Sequence, residues 1–189
     1  MYILASVSPR RKEIFEKAHL NFEIVASKFD ESSISEPNPY LLAEKVAYGK
    51  AKEVSINYPN KIVIGADTIV LVNGEVLGKP KDFDDAFSIL KKLSNHYQEV
   101  VTGVAIVYNN HVHTFHAISE VLFRDVSDEE IIDYIKTKEP YDKAGAYAIQ
   151  GKASDFVVKW NGELDNIIGF PIKKFLEELK IFEERYLNV

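Results

Sequence analysis

The chain has 189 residues, no cysteine and a formal net charge of −6. A chain of this length buries about 70% of its unfolded surface, so it needs no covalent or metal cross-link to fold. The lack of cysteine excludes disulfide bonds and thiolate metal sites. The negative charge argues against binding of nucleic-acid polymers, which requires a broad basic surface.

The N-terminal residues lead directly into an apolar strand and a charged helix, without a signal-peptide core or a transit-peptide pattern. No apolar run approaches the length of a membrane span. We therefore expect a cytoplasmic protein that does not bind a membrane. Helix and strand patterns mix without a linker, a repeat or a low-complexity segment, which predicts a single α/β domain over residues 1–189.

The first strand, Tyr2 to Ala5, leads to a helix from about Pro9 to Ala18, for which Ser8 is a good N-cap. Arg10 and Arg11 fall in the first turn of this helix, where the positive end of the dipole makes each exposed cation cost about 0.3–1 kcal/mol. A bound anion would reverse that sign, because backbone N–H groups and two guanidinium groups can bind phosphate oxygens. The alternative is a solvated basic helix start.

A second strand, Phe22 to Val25, is followed by an acidic loop in which Glu31 could supply a metal carboxylate, although solvated acidic loops are common. Asn38 then caps a helix that runs to about Ile56. One face of this helix is apolar, through Ala43, Ala47, Ala51 and Val54. Lys45 lies roughly opposite that stripe, where it could face a cleft.

A β-branched strand begins at Ile62 and is predicted to end at Asp67 and Thr68. A carboxylate at the end of a central strand commonly binds a metal or acts as a base, and the alternative is a turn-forming aspartate. After a tight hairpin turn at Asn73-Gly74, Lys79 lies in a rigid connection between glycine and proline. That connection would fix a point charge, unless Lys79 is simply an exposed lysine.

The remaining patterns predict a helix after Asp82, a hairpin of Gln98 to Tyr108 and His111 to Phe123, a helix opened by the capping box of Ser127 and Glu130, strands near Ala146 to Ile149 and Asp155 to Trp160, and a closing helix from Ile172 to Leu179. The histidines are not at metal-ligand spacing and are interpreted as structural or surface residues. No nucleophile elbow, Walker loop or Rossmann fingerprint is present.

Five segments occur in order along the chain: Leu4-Ala5-Ser6-Val7-Ser8-Pro9-Arg10-Arg11, Gly65-Ala66-Asp67-Thr68, Gly78-Lys79-Pro80-Lys81, Asp142-Lys143-Ala144-Gly145-Ala146-Tyr147 with Ile149-Gln150-Gly151, and Gly169-Phe170-Pro171. Together they resemble the Maf family of nucleoside triphosphate pyrophosphatases, over nearly the whole chain. Two departures occur. Asn95-His96-Tyr97-Gln98-Glu99 is a variant of the family's Gly-Arg-x-His-Glu, and Phe170 replaces a usual leucine.

The resemblance implies an elongated mixed sheet with flanking helices, in two lobes around a central cleft. It also implies hydrolysis of a nucleoside triphosphate to the monophosphate and pyrophosphate with a divalent cation, Mg²⁺ or Mn²⁺. Members often pair as dimers, so a homodimer is expected, and they are associated with nucleotide-pool cleansing and septum formation. By similarity, Asp67 accepts the proton of the attacking water and binds metal with Glu31. Substrate is expected to bind Ser8, Arg10, Arg11, Lys45, Thr68, Lys79 and Gln150.

The branch of this family that acts on 7-methyl-GTP has motifs that look like Ser-Pro-Trp-Arg, Asp-Gln and Ser-Glu-Gly. In these motifs Trp, Gln and Glu stand where this chain has Arg10, Thr68 and Gln150. An amide such as that of Gln150 offers one donor and one acceptor, which match the carbonyl and N3–H of uracil or thymine. We therefore expect dTTP and UTP as substrates. The alternatives are a 7-methyl-GTP pyrophosphatase and a nucleotide-binding regulator of cell division that does not hydrolyse its ligand.

Overall fold

A computed structural model describes residues 1–187; the last two residues of the predicted domain, 188 and 189, lie outside the described residues. Its strands are β1 Tyr2–Leu4, β2 Phe22–Ile24, β3 Val63–Val72, β4 Glu75–Leu77, β5 Tyr97–Tyr108, β6 His111–Phe123 and β7 Val157–Asn161. Its α-helices are α1 Pro9–Lys17, α2 Pro39–Ser55, α3 Phe83–Leu93, α4 Asp128–Lys136, α5 Leu164–Ile168 and α6 Ile172–Tyr186. Short 3₁₀ turns cover Glu31–Ser33, Glu139–Asp142, Ala144–Ala146 and Lys152–Phe156.

The seven strands form one mixed sheet in the order β2-β1-β3-β5-β6-β7, and β4 pairs with β3 outside this order. Strand β1 runs parallel to both β2 and β3, whereas β3 with β4 and β6 with β7 are antiparallel. The predicted mixed α/β fold is therefore confirmed. Within residues 1–187, no helix is both long and apolar enough to cross a membrane.

The chain divides into two compact units. The first contains residues 1–68, 102–117 and the segment from residue 169 onward, and the second contains residues 69–101 and 118–168. In the first unit, the alanine stripe of α2 packs on strand residues such as Ile3, Val63 and Ala105. In the second unit, apolar residues of α3 and α4 pack on the ends of β3, β5 and β6 that belong to this unit.

Phe170 is completely buried in the first unit. Its ring makes edge-on contacts with Phe15 of α1 and Phe175 of α6, at centroid distances of 4.8 and 5.0 Å. Phe15 also contacts Phe22 of β2 at 5.1 Å. Phe170 thus completes an aromatic cluster between two helices, where edge-on ring pairs are favourable.

Several predicted boundaries are wrong. The closing helix continues past Leu179 to Tyr186, and the strand predicted from Asp155 begins at Val157. The third strand does not end at Asp67 but continues to Val72, so Asp67 and Thr68 lie in its middle as its only partly buried residues. The segment predicted as a strand, Ala146 to Ile149, contains no strand. Its first residue, Ala146, ends a 3₁₀ turn in which Gly145 has a φ of +69°. A Cβ at Gly145 would lie 2.8 Å from Val70, so the tight turn depends on glycine.

Candidate active site

The first helix begins as the sequence predicts. Ser8 caps it, with its hydroxyl accepting from the Arg11 backbone N–H at 3.5 Å, and Pro9 occupies the first turn. The Ser8 backbone N–H in turn donates to Ser6 Oγ at 3.3 Å. No acidic residue lies in the first turn. The positive end of the helix dipole therefore meets two guanidinium groups, those of Arg10 and Arg11, as the sequence analysis predicted.

The Arg11 side chain spreads over three neutral oxygens. It donates to Gly169 O at 2.9 Å, Ser6 Oγ at 3.2 Å and Thr68 Oγ1 at 3.1 Å. Gly169 has a φ of +139°, a conformation that L side chains rarely adopt, and this backbone geometry turns its carbonyl toward the guanidinium. Planar donors in a fixed fork suit this arrangement, and lysine could not reproduce it.

Burial lowers the pKa of the Arg11 guanidinium from its ordinary value. The negative charges of Asp67 and Glu31 act in the opposite direction, whereas the neighbouring Arg10 lowers the pKa further. A desolvated cation whose three hydrogen-bond acceptors are neutral interacts strongly with an added anion, because its charge is little screened by water.

Thr68 is held in the same network as Arg11. Its hydroxyl shares a hydrogen bond with Thr102 at 2.9 Å and reaches Gly169 O at 3.3 Å. The residue before it, Asp67, is directed into a second cluster on α2. Consecutive residues of β3 thus enter two polar networks of the first unit.

In that second cluster, the Lys50 ammonium lies between two carboxylates. Its Nζ is 2.8 Å from Asp67 Oδ1 and 2.9 Å from Glu31 Oε1. The side chains of Lys50 and Asp67 are each 14% exposed, and that of Glu31 is 58% exposed. A Cβ on Gly65 would overlap the carbonyl oxygen of Ala47. The glycine therefore lets α2 approach β3 closely, and this approach brings Lys50 to Asp67.

The two carboxylates that the sequence analysis assigned to a metal, Glu31 and Asp67, thus converge on one cation position. Their chemistry fits Mg²⁺ or Mn²⁺, which prefer oxygen ligands; Mg²⁺ in particular is often held by one or two carboxylates together with substrate phosphates. Residues 1–187 contain no group of three or more histidine or acidic side chains that could hold a metal without a substrate. A metal here would need phosphate oxygens or water as further ligands.

Lys45 is 53% exposed and forms an ion pair with Glu36, whose side chain is 12% exposed. This hydrogen bond, together with one from the Asn38 backbone, lowers the pKa of the Glu36 carboxyl. Lys45 lies on the face of α2 opposite the alanine stripe, as predicted.

Lys79 and Gln150 belong to the second unit, where both are exposed. Lys79 follows β4, and the preceding Gly78 carbonyl accepts from the Gly145 backbone N–H at 3.1 Å. Gln150 lies in a turn between two 3₁₀ segments. The residue before Lys79 is therefore hydrogen-bonded to the 3₁₀ turn that precedes Gln150.

The variant segment 95–99 supports this same turn. Asn95 takes a φ of +58°, a conformation that asparagine tolerates well. The buried Gln98 amide donates to His96 O at 3.0 Å and Val121 O at 3.3 Å, and accepts from the Tyr147 hydroxyl at 3.3 Å. Burial raises the pKa of Tyr147, which keeps its hydroxyl a donor.

Comparison with known proteins decides the family. The family model described as Maf-like protein matches residues 1–182. The chain belongs to the Maf-like family. It is 46% identical over 178 residues to a dTTP/UTP pyrophosphatase of Geobacillus sp. (strain WCH70), covering 94% of this chain and 96% of that protein.

Two further relatives carry the same name. The protein of Alkaliphilus metalliredigens (strain QYMF) is 46% identical over 180 residues and covers 94% of this chain and 93% of its own. That of Acholeplasma laidlawii (strain PG-8A) is 43% identical over 183 residues, covering 96% of each. Among solved structures, the Staphylococcus aureus Ham1 protein matches with a TM-score of 0.49 and 16% identity, over 66% of this chain and 72% of that one.

The structure of the Maf-like chain brings together some predicted site residues. Arg11 and Thr68 share one network, and Glu31 and Asp67 meet through Lys50. Lys45 pairs instead with Glu36. The sequence analysis missed Lys50, although a signal existed: it follows Ala47 by three residues and therefore falls on the apolar stripe of α2, where a lysine needs a buried partner.

Proposed function

We propose that this Maf-like chain hydrolyses dTTP and UTP to the nucleoside monophosphate and pyrophosphate. The relatives named dTTP/UTP pyrophosphatase, at 43–46% identity over nearly the whole chain, support this activity. The observation that carries the chemistry is the pair of consecutive residues in the middle of β3. Asp67 supplies a carboxylate that is 14% exposed and is fixed by Lys50, and Thr68 accepts a hydrogen bond from the Arg11 guanidinium.

In the proposed reaction, a water oxygen attacks the α-phosphorus while the bond from that phosphorus to the bridging oxygen breaks. Pyrophosphate leaves with the bridging oxygen, and Asp67 takes the proton of the attacking water. Asp67 Oδ1 accepts from Lys50 at 2.8 Å, which fixes the carboxylate, and Oδ2 takes the proton. A metal held by Glu31 and Asp67 would replace Lys50 as the cation next to Oδ1. A positioned general base of this kind contributes roughly 10²–10⁴ to the rate.

Charge on the triphosphate must be taken up as the bond breaks, since the substrate carries about four negative charges and positioned cations stabilise charge that develops in the transition state. Arg11 suits this role because burial has removed much of its hydration and its three acceptors are neutral. Arg10 and Lys79 supply further cations. Mg²⁺ or Mn²⁺ held by Glu31 and Asp67 would neutralise phosphate charge. Binding of substrate by Ser8 and Lys45 stays a prediction.

Base selection is assigned to Gln150. Its amide presents a donor to the base carbonyl and an acceptor to N3–H, which uracil and thymine match and cytosine does not. Thr68 stands at the position where the resemblance places glutamine in the 7-methyl-GTP branch. Its hydroxyl accepts a hydrogen bond from Arg11. A homodimer, a cytoplasmic location and a part in septum formation stay predictions.

The test is release of pyrophosphate from purified protein with Mg²⁺ over a panel of UTP, dTTP, CTP and 7-methyl-GTP. We expect turnover of UTP and dTTP with poor use of CTP. Tight nucleotide binding without turnover would instead identify a regulator, and a preference for 7-methyl-GTP would place the chain in the other branch.

A further inference from the structure

The side chain of Glu139 contacts the backbone that follows Gln150. Its carboxylate accepts from the Lys152 backbone N–H at 3.0 Å through Oε1 and 3.3 Å through Oε2. A Cβ on Gly151 would overlap Oε1, so the carboxylate lies directly against the Gly151 backbone. The two residues after Gln150 are thus fixed by one charged group, and hydrogen bonds to a charged acceptor are the stronger kind.

Glu139 is itself firmly held. The hydroxyl of Tyr134, a buried residue of α4, donates to Glu139 Oε1 at 3.2 Å. The Glu139 backbone N–H donates to Thr137 Oγ1 at 3.3 Å, and its carbonyl accepts from Lys143 Nζ at 2.8 Å. Burial and the charge of Glu139 raise the pKa of Tyr134, so its hydroxyl remains a donor. The Glu139 carboxylate therefore links helix α4 to the backbone that follows Gln150.

We propose that Glu139 is a positioning residue for base selection, which holds the 150–152 backbone so that the Gln150 amide meets the pyrimidine edge. This inference rests on the base-reading role given to Gln150 in the proposed function. Glu139 does not touch the base; it acts through the backbone that carries Gln150. A misplacement of about 1 Å in a positioning group can lower a rate by roughly 10²-fold.

Two variants perturb this contact from opposite sides. Glu139→Gln keeps the shape of the side chain but loses the negative charge that Lys152 N–H and Tyr134 OH donate to. Gly151→Ala keeps the carboxylate but places a methyl group where Oε1 lies. Gly151 has a φ of −99°, so alanine brings no backbone strain of its own. Glu129→Gln, an exposed carboxylate of α4, is the matched control.

The measurement is the ratio of kcat/KM for UTP to that for CTP, determined from pyrophosphate release. We expect Glu139→Gln and Gly151→Ala each to lower this ratio about tenfold, mainly through UTP, and Glu129→Gln to leave it unchanged. In a Gln150→Ala background, adding Glu139→Gln should change the ratio less than about twofold, because residues that act through one another are not additive. Hydrogen exchange at the Lys152 amide should be faster in Glu139→Gln.

Three results would overturn the proposal: an unchanged ratio in Glu139→Gln despite faster Lys152 exchange, an equal fall in the Gln150→Ala background, or a normal ratio in Gly151→Ala. If Glu139→Gln does not fold, Gly151→Ala carries the test. A wild-type protein that hydrolyses none of the nucleotides would contradict the proposed function instead. The same ratio is then taken from the Kd values of UTP and CTP, so the role of Glu139 is still decided.

Discussion

Replacement of Lys50 by methionine removes the cation that separates two carboxylates in the first unit. Its Nζ lies 2.8 Å from Asp67 Oδ1 and 2.9 Å from Glu31 Oε1. Loss of one partner of a buried pair costs about 3–5 kcal/mol, because the other charge stays buried alone. Asp67 is 14% exposed, which favours the lower end of that range, and the exposed Glu31 adds at most about 1 kcal/mol. We therefore expect a loss of about 3 kcal/mol in the free energy of unfolding.

For a chain of this size, 1 kcal/mol corresponds to a change of roughly 2–4 °C in Tm, so Lys50→Met should melt about 6–12 °C below the wild type. Added Mg²⁺ should raise the Tm of the variant more than that of the wild type, since the carboxylates lack their ammonium. The control is Lys52→Met, which removes an exposed lysine from the same helix. We expect this variant to melt close to the wild type, because surface substitutions usually change stability little.

The assay is thermal melting followed by circular dichroism, without nucleotide, over a Mg²⁺ titration. A Tm for Lys50→Met equal to that of Lys52→Met would refute the view that Lys50 compensates a buried charge. Equal Mg²⁺ shifts in wild type and variant would show that the two carboxylates do not share a cation position.

Three further predictions concern the proposed active site. Asp67→Asn should lower pyrophosphate release by about 10²–10⁴ while nucleotide Kd values change little; turnover near the wild-type rate would move the base elsewhere. Arg11→Lys keeps the charge but loses the hydrogen bonds of the guanidinium to three oxygens, so the free energy of unfolding measured in urea should fall by about 1–3 kcal/mol. The control Lys12→Ala should lower it by less than about 0.5 kcal/mol. Gln150→Glu should lower kcat/KM for UTP and dTTP together by about tenfold to a hundredfold; unchanged values would exclude base reading by this residue.

Helix starts were predictable because their determinants are local. Ser8 and Asn38 each cap a helix whose next residue is proline, and both caps occur in the structure. The capping box of Ser127 and Glu130 is also confirmed, with both of its hydrogen bonds present. A cap needs only neighbouring side chains and backbone N–H groups, all of which can be identified within four residues of sequence.

The course of β3 was not predictable from local pattern. Asp67 and Thr68 interrupt its apolar run, and polar residues at that position favour the end of a strand. The strand continues because Lys50 and Arg11, distant in sequence, satisfy these side chains. Tertiary contacts therefore override the local preference.

The wrong strand near Ala146 has a different cause. Alternation of small and large apolar residues in that segment favours a strand. The backbone instead turns at Gly145, which packs closely on Val70 and donates to the Gly78 carbonyl. The sequence near Ala146 does not reveal these contacts with Val70 and Gly78, which lie about 70 residues earlier in the chain.

The candidate site could be predicted in part. The pattern of Ser8, Pro9 and two arginines predicted a capped helix start without an acidic residue in its first turn, which the structure confirms. Binding of an anion there stays a prediction. Lys50 was overlooked in favour of Lys45, although helical phase separates them: Lys50 falls on the alanine stripe and Lys45 opposite it. Glu139 has no signature in sequence, because its role depends on which backbone its carboxylate reaches.

The most direct test of the proposed hydrolysis is the fate of the water oxygen. UTP is turned over by the purified protein with Mg²⁺ in water enriched in ¹⁸O, and the products are separated and weighed by mass spectrometry. Attack on the α-phosphorus predicts one ¹⁸O atom in UMP and none in pyrophosphate. Label in pyrophosphate with unlabelled UMP would show attack on the β-phosphorus, and release of UDP with labelled inorganic phosphate would show attack on the γ-phosphorus; either result would contradict the proposed mechanism.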